Sequence, residues 1–236
     1  MMTFTLVLPF HKDIEKLIPT LARVQVEGEK YGISEVLLCH NGAPLSVDAL
    51  KRLQSFTFPG VRILHTDAKG IGAGYRLGIA NATADFVILS ASDLPFGWTD
   101  LESFKKVSDC SFAIGSKAHA QSEIGKVTLK RRLASILFLI VRKILLGEET
   151  PEDSQGSLLL RKELAQSLVT ECLYDNYLFS LEIASLHLQK GGQVVEVSVV
   201  LENNEGSSSV SLLRDGWQML KDLLQLRHRL EKMEPQ

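Results

Sequence analysis

Between Asp67 and Leu94 the chain reads DAKGIGAGYRLGIANATADFVILSASDL. A glycine-rich turn opens a short helix. An apolar strand, Phe86 to Leu89, follows and ends in small residues and a lone carboxylate, Asp93. Open α/β sheets bind ligands in the crevice outside the carboxyl ends of their strands. A carboxylate placed there can hold a divalent cation, and the cation can hold a diphosphate. That chemistry points to an enzyme acting on a nucleotide-activated substrate, with Asp93 as catalytic residue and metal ligand and Ser92 beside it. The glycines Gly70, Gly72, Gly74 and Gly78 have two readings. They serve a tight turn and close helix packing, or their backbone N–H groups meet a phosphate or ribose. Their spacing departs from the G-x-G-x-x-G of dinucleotide-binding enzymes, and the run follows a third strand instead of a first.

The elements that must position Asp93 alternate. Thr5–Leu8 reads as a buried strand stopped by Pro9, Asp13–Glu27 as a helix, Glu35–Cys39 as a second strand and Val47–Phe56 as a second helix. Val61–His65 is a third strand, Ala73–Ala82 a helix and Phe86–Leu89 a fourth strand. This alternation predicts an α/β fold with a mostly parallel central sheet flanked by helices. Further on, the pattern predicts a helix over Asp100–Val107, a strand over Cys110–Gly115 and an amphipathic helix over Val127–Leu146. A strand over Ser157–Leu160, a helix over Leu178–Lys190, a strand over Val194–Val200 and a charged amphipathic helix over Leu213–Leu230 complete it. Glu202–Ser209 reads as a polar loop.

Composition narrows the class. The chain has 236 residues, 45% hydrophobic, and a formal net charge of −2. That supports one large core and one domain, and it excludes the strongly basic surface of a general nucleic-acid binder. Cys39, Cys110 and Cys172 are odd in number and widely spaced, which fits buried thiols in a reducing compartment. Thr3–Phe10 is too short for a secretory h-region. Leu133–Val141 is followed by Arg142 and Lys143 and falls short of the about 20 apolar residues of a membrane span. The expected location is cytoplasmic, with peripheral contact at the inner face of a membrane as an option.

The ordered motifs resemble glycosyltransferases of family 2 with the GT-A fold, and within them the dolichyl-phosphate mannose and glucose synthase branch. The family's P-x-x-N-E is similar to Pro9-Phe10-His11-Lys12-Asp13. Its D-D-G-S falls on His40-Asn41-Gly42-Ala43, its N-x-G-x-G-x-A on Ala68–Gly74 and its I-G-S-R on Ile114-Gly115-Ser116-Lys117. Its D-x-Q-x-G resembles Asp153-Ser154-Gln155-Gly156, its F-D-x-E-L Phe179–Ile183 and its E-V-P-V Glu196–Val199. The resemblance implies a GT-A domain over 1–210 and a C-terminal amphipathic helix over 211–236. It also implies an inverting enzyme that moves a sugar from a nucleoside diphosphate sugar. Nucleotide-sugar contacts then fall to Pro9, Phe10, His11, Asp13, His40, Asn41, Gly72, Ser92 and Asp93. Lys117, Arg131, Arg132 and Gln155 are carried over to the acceptor side.

Two departures bear on the chemistry. The family's D-x-D falls on Ala91-Ser92-Asp93, so one carboxylate is missing. A Mg²⁺ or Mn²⁺ site is then weak or dispensable, or catalysis is lost and the protein is a non-catalytic binder of a nucleotide or a partner. The loop at Glu202–Ser209 lacks the cations of the lipid-phosphate enzymes. A phosphate acceptor of polyprenyl type needs cations but no base, whereas a small hydroxyl acceptor needs a base, for which Asp153 and Glu182 are the candidates. The basic helix beside Leu133–Leu146 is a solvated face, a headgroup-layer contact or a packing surface, and the two amphipathic helices also offer faces for a homodimer.

Overall fold

Seven strands form one sheet in the order β3-β2-β1-β4-β6-β5-β7. The computed structural model describes residues 2–12, 14–58, 60–107, 109–125, 129–202 and 214–233, with side chains described for all of these except 129–132, 134 and 214–218. The strands are β1 (Phe4–Phe10), β2 (Ile33–Asn41), β3 (Val61–Thr66), β4 (Phe86–Leu89), β5 (Phe112–Ser116), β6 (Leu158–Arg161) and β7 (Val195–Ser198). Six run parallel to one another, and β6 runs antiparallel between β4 and β5. The α/β class and mostly parallel sheet expected from the sequence are therefore present. The reversal of β6 lies outside that expectation, because direction is set by the connection and not by the four residues of the strand.

Alternation sorts the core into two layers. Leu6, Leu8, Val36, Leu38 and Ile88 pack against α1 (Ile14–Glu27), α2 (Val47–Gln54) and α4 (Thr99–Lys106). Val7, Leu37, Cys39, Val87 and Leu89 face α3 (Ile71–Asn81), α6 (Lys162–Val169) and α7 (Phe179–Gln189). A third cluster joins α5 (Leu129–Leu146), α7 and α8 (Arg214–Lys232) through Phe138, Val141, Leu145, Leu178, Leu181, Leu223 and Leu226. The C-terminal helix is thus packed onto the body, while the expected boundary at 210/211 lies outside the described residues.

The first strand runs two residues past its expected stop and contains Pro9. Pairing with β4 ends at Val7, whose carbonyl accepts the Ser90 N–H at 3.2 Å. Pro9 lies two residues on, with its nitrogen on the same side, beyond the end of β4. No ladder bond is lost there, so proline is tolerated. The crevice opens at this place. β1 continues toward β2 while β4 has stopped, and the chain order reverses between β1 and β4, which is the topological switch point of an open sheet.

The α3 glycines explain how closely that helix lies on β1. A Cβ on Gly78 would sit 2.2 Å from Cγ1 of Val7, itself fully buried in the central strand. Gly78→Ala gains about 1 kcal/mol of helix propensity but overpacks the core, at about 1–3 kcal/mol. The expected net result is a melting temperature lower by a few degrees. A melting temperature equal to or above wild type in a thermal scan would show that α3 can shift away from β1.

Candidate active site

Asp93 lies in the turn that follows β4. Leu94 donates its N–H to the Ala91 carbonyl at 3.1 Å, and Gly97 donates to Leu94 at 2.9 Å. Leu94 has φ +42°, a left-handed conformation that L side chains rarely adopt, and its side chain is buried in the core with Trp98 and Leu101. Such a residue costs on the order of 1–3 kcal/mol and persists where the surroundings over-determine it, often at functional sites. The turn leaves Asp93 half-buried. Its carboxylate makes no ion pair or hydrogen bond among the described residues.

The residues flanking Asp93, Ala91 and Pro95, line a cavity of about 130 Å³ together with Tyr75, Ser90, Phe96, Gln155, Tyr177 and Ser180. These side chains come from α3, the turn after β4, the loop before β6 and the start of α7. The Ser90 hydroxyl is buried and makes no hydrogen bond among the described residues. Burial pushes the Tyr75 phenol up, and the neighbouring Tyr177 and Asp93 push it further, which places Asp93 within electrostatic reach of the cavity. At pH 7 the Tyr75 hydroxyl is therefore a neutral donor. A small space rimmed by hydroxyls and an amide, with Asp93 in the turn between its lining residues Ala91 and Pro95, suits a polyhydroxylated ligand attached to a diphosphate.

Lys117 and Gln155 are brought to the same rim. The Lys117 ammonium lies 3.3 Å from Asp153 Oδ2, 3.4 Å from the Gln155 carbonyl oxygen and 5.9 Å from the centre of the Phe96 ring. The Gln155 amide donates to the Tyr177 carbonyl at 3.4 Å. The helix carrying Arg131 and Arg132 is described, but their side chains are not.

Both acids offered as a general base have other work. Asp153 is buried, with Oδ1 accepting the Gln155 N–H at 2.8 Å and Oδ2 accepting the Lys117 N–H at 2.9 Å as well as its ammonium. It ties the loop before β6 to the end of β5 and holds Lys117. Glu182 is fully buried. It accepts the N–H groups of Leu173 and Tyr174 at 2.9–3.0 Å and pairs with Arg229 of α8.

On the nucleoside side the expected contacts are also largely spoken for. His40 is buried, donates from Nε2 to the His11 carbonyl at 2.7 Å and sets Nδ1 3.0 Å from Nδ1 of His65. Burial holds its imidazole below the ordinary histidine pKa, so it is neutral at pH 7. The Asn41 amide donates to the Gly70 carbonyl. Phe10 is buried against His40, with ring centres 5.1 Å apart, and Pro9 is buried as well. Gly72 donates its N–H to the Asp175 carbonyl at 2.9 Å, as does Ala73 at 3.3 Å, so these two N–H groups of the α3 N-terminus already have a protein partner. These residues shape the crevice floor. His11 remains exposed, its Nδ1 on the Asn41 carbonyl, and Asp13 lies outside the described residues. A groove of about 560 Å³ beside this floor, lined by His40, Leu45, Leu53, Phe56, Ile63 and His65, lies on the β2–β3 side, away from Asp93.

Sequence reasoning does not single out Tyr75, Ser90, Tyr177 or Ser180. Ser90 carries a signal, since it follows the same apolar strand as Asp93. The others converge only in three dimensions.

Asp100 in the first turn of α4 is another buried acid, with its pKa pushed up to about 6 by burial. An acid raised in the folded state contributes stability below its unfolded pKa and loses it as pH rises through the folded value. The window here runs from 3.8 to about 6. Asp100→Asn can keep the acceptor for the Leu101 N–H, now at 2.8 Å. Relative to wild type the variant should gain on the order of 2–3 kcal/mol between pH 4 and pH 7.5. Urea midpoints at the two pH values test this, and an unchanged difference would refute it.

The family model described as Glycosyl transferase family 2 matches residues 5–169, more than half of the chain. The chain belongs to glycosyl transferase family 2. Its activity class is sugar transfer from a nucleotide sugar. Three solved structures share the architecture of this family 2 protein. Glucosyl-3-phosphoglycerate synthase from Mycobacterium tuberculosis, in complex with Mn²⁺, UDP and glucosyl-3-phosphoglycerate, aligns with TM-score 0.69 at 14% identity, covering 97% of this chain and 80% of that one. The same enzyme with Mg²⁺ and UDP gives 0.67 at 14%, covering 97% and 79%. Mannosyl-3-phosphoglycerate synthase from Rubrobacter xylanophilus gives 0.55 at 15%, covering 97% and 73%. At these identities the likeness establishes the GT-A fold. The sequence motifs point more narrowly to the dolichyl-phosphate branch, whereas these three similar structures are 3-phosphoglycerate synthases. No helix among the described residues of this family 2 chain is long and apolar enough to cross a membrane.

Proposed function

We propose that the protein transfers a glycosyl group from a nucleoside diphosphate sugar to an acceptor whose attacking oxygen is already ionised, as in a phosphate. The reading rests on the cavity at the carboxyl end of β4, whose lining residues Ala91 and Pro95 bracket Asp93 in the chain, and on the absence of any ion pair or hydrogen bond of Asp93 among the described residues. The sugar would occupy the cavity, within hydrogen-bonding range of the Tyr75 and Ser90 hydroxyls. The diphosphate would lie along the Ser92–Asp93 turn, with the nucleoside toward His11 and the end of β2. The similar M. tuberculosis enzyme is solved with UDP, which makes uridine the first nucleoside to try.

The donor set decides what cation fits. Among the described residues no three of His, Cys, Asp and Glu cluster as a metal site. Mg²⁺ keeps several waters and is commonly held by one or two carboxylates plus substrate phosphates. Asp93 alone therefore fits a cation that arrives with the diphosphate, and such a cation, when bound, neutralises charge developing on the leaving group. Lys117, held by Asp153 and Gln155, would bind the anionic acceptor, with Arg131 and Arg132 assigned to the same side. Asp153 and Glu182 both already accept hydrogen bonds from protein groups, which favours an acceptor that needs no base. A phosphate oxygen needs no base. The lipid-phosphate and small-phosphate versions of this acceptor share that chemistry.

The test is a transfer assay with UDP-, GDP-, dTDP- and ADP-sugars against a polyprenyl phosphate, a small phosphorylated acceptor and an unphosphorylated alcohol. A product with the sugar joined to a phosphate oxygen supports the reading; transfer only to carbon-borne hydroxyls, of the alcohol or of the phosphorylated acceptor, contradicts it. Ala91, standing where the family motif has an acid, favours a second reading, a protein that binds the nucleotide without turnover. Nucleotide binding with no transfer from any donor would select it.

A further inference from the structure

One face of α5 has no partner among the described residues. Leu133, Ile136, Leu137, Ile140 and Ile144 are spaced so that they share one stripe of the helix, and they are between 44% and 71% exposed. The opposite face is held: Phe138, Val141, Leu145 and Leu146 pack onto Leu178, Leu181, Leu223 and Leu226. Arg142, also on that side, is buried, with Asp153, Glu196 and Glu152 nearby, and burial holds its guanidinium below the ordinary arginine value. The helix is therefore anchored, and the bare stripe is an outer surface of the fold. Contiguous apolar patches of a few hundred Å² mark interaction surfaces, and five large aliphatic side chains make a patch of that order.

Charge and composition decide what covers it. The helix carries Lys130, Arg131, Arg132, Arg142 and Lys143 and no carboxylate. Lys143 is paired with Glu148 and Glu152, at 3.3 and 3.8 Å, and the sequence gathers Lys130, Arg131 and Arg132 in the first turn. A second copy of the same helix would bring further cations and no acid to answer them. A protein partner would be expected to meet aromatic and arginine anchors, yet the stripe is leucine and isoleucine only. An apolar stripe entered from a cationic turn matches the layering of an anionic lipid surface, where a helix lies in the interface plane and each cation adds about 1 kcal/mol.

We infer that α5 docks the protein on an anionic membrane surface, lying in the headgroup layer with Leu133, Ile136, Leu137, Ile140 and Ile144 turned into the acyl boundary. The inference shares Arg131 and Arg132 with the acceptor reading, and vesicle binding reads it separately from transfer because the apolar stripe of α5 takes no part in that reading.

Vesicle co-sedimentation of the full chain tests it, using phosphatidylcholine alone and phosphatidylcholine mixed with phosphatidylglycerol. Wild type should bind the anionic vesicles, bind the neutral ones far less, and release in high salt. The double variant Leu137→Glu/Ile140→Glu should bind at least about tenfold more weakly, with an unchanged melting temperature because both positions are exposed. Val26→Glu, at an exposed apolar position on α1, should bind as wild type does. Failure of wild type to bind, equal binding to neutral vesicles, or full binding by the double variant would overturn the inference. So would sedimentation showing a dimer that the double variant dissolves.

Discussion

Asp93→Ala should lower transfer from the accepted nucleotide sugar by about 100-fold or more, with the melting temperature unchanged. The loss of rate comes from removing the protein group placed to hold the leaving diphosphate and its cation, and it is felt most in the transition state. Stability is spared because the half-buried carboxylate has no ion pair or hydrogen bond among the described residues; such positions usually change stability by within about 0.5 kcal/mol. Steady-state rates and a thermal scan on the same preparation measure both. Full activity in the variant would remove Asp93 from the mechanism.

Glu182→Ala should have the largest effect on stability, about 3–5 kcal/mol. The substitution strands the Leu173 and Tyr174 N–H groups and leaves Arg229 without its buried partner. A protein with a total stability of about 5–15 kcal/mol would lose a large part of it, and the melting temperature should fall by roughly 10 °C. Glu182→Gln keeps a neutral acceptor and should lose less, while its activity per folded molecule stays near wild type. That second variant separates the two roles. A catalytic base would lose activity as glutamine with little change in folding, and that result would restore Glu182 to the chemistry.

Much of the fold is legible in the sequence because its signals are local. The apolar run Phe86–Leu89 is bounded by Ala84-Asp85 and by small residues, and the strand occupies those four positions. The glycines of α3 announce close packing, and Gly78 against Val7 shows it. The helix Lys162–Val169 escapes the pattern because it follows β6 without an intervening turn residue. The site is less legible for a different reason. What a carboxylate can do depends on partners distant in the chain: Glu182 meets Arg229, and Asp153 meets Lys117. His40 and Asn41 stand where a base-reading pair is expected, yet both His40 ring nitrogens and the Asn41 amide NH2 are taken up by His11, His65 and Gly70. Periodicity places a residue at a strand end; it does not show which hydrogen bonds are already made.

The most direct measurement is calorimetric titration of UDP into wild type and Asp93→Asn, each with and without Mn²⁺. Mn²⁺ should tighten UDP binding to wild type, and in Asp93→Asn this strengthening should be lost. Equal strengthening in both proteins would contradict the role given to Asp93.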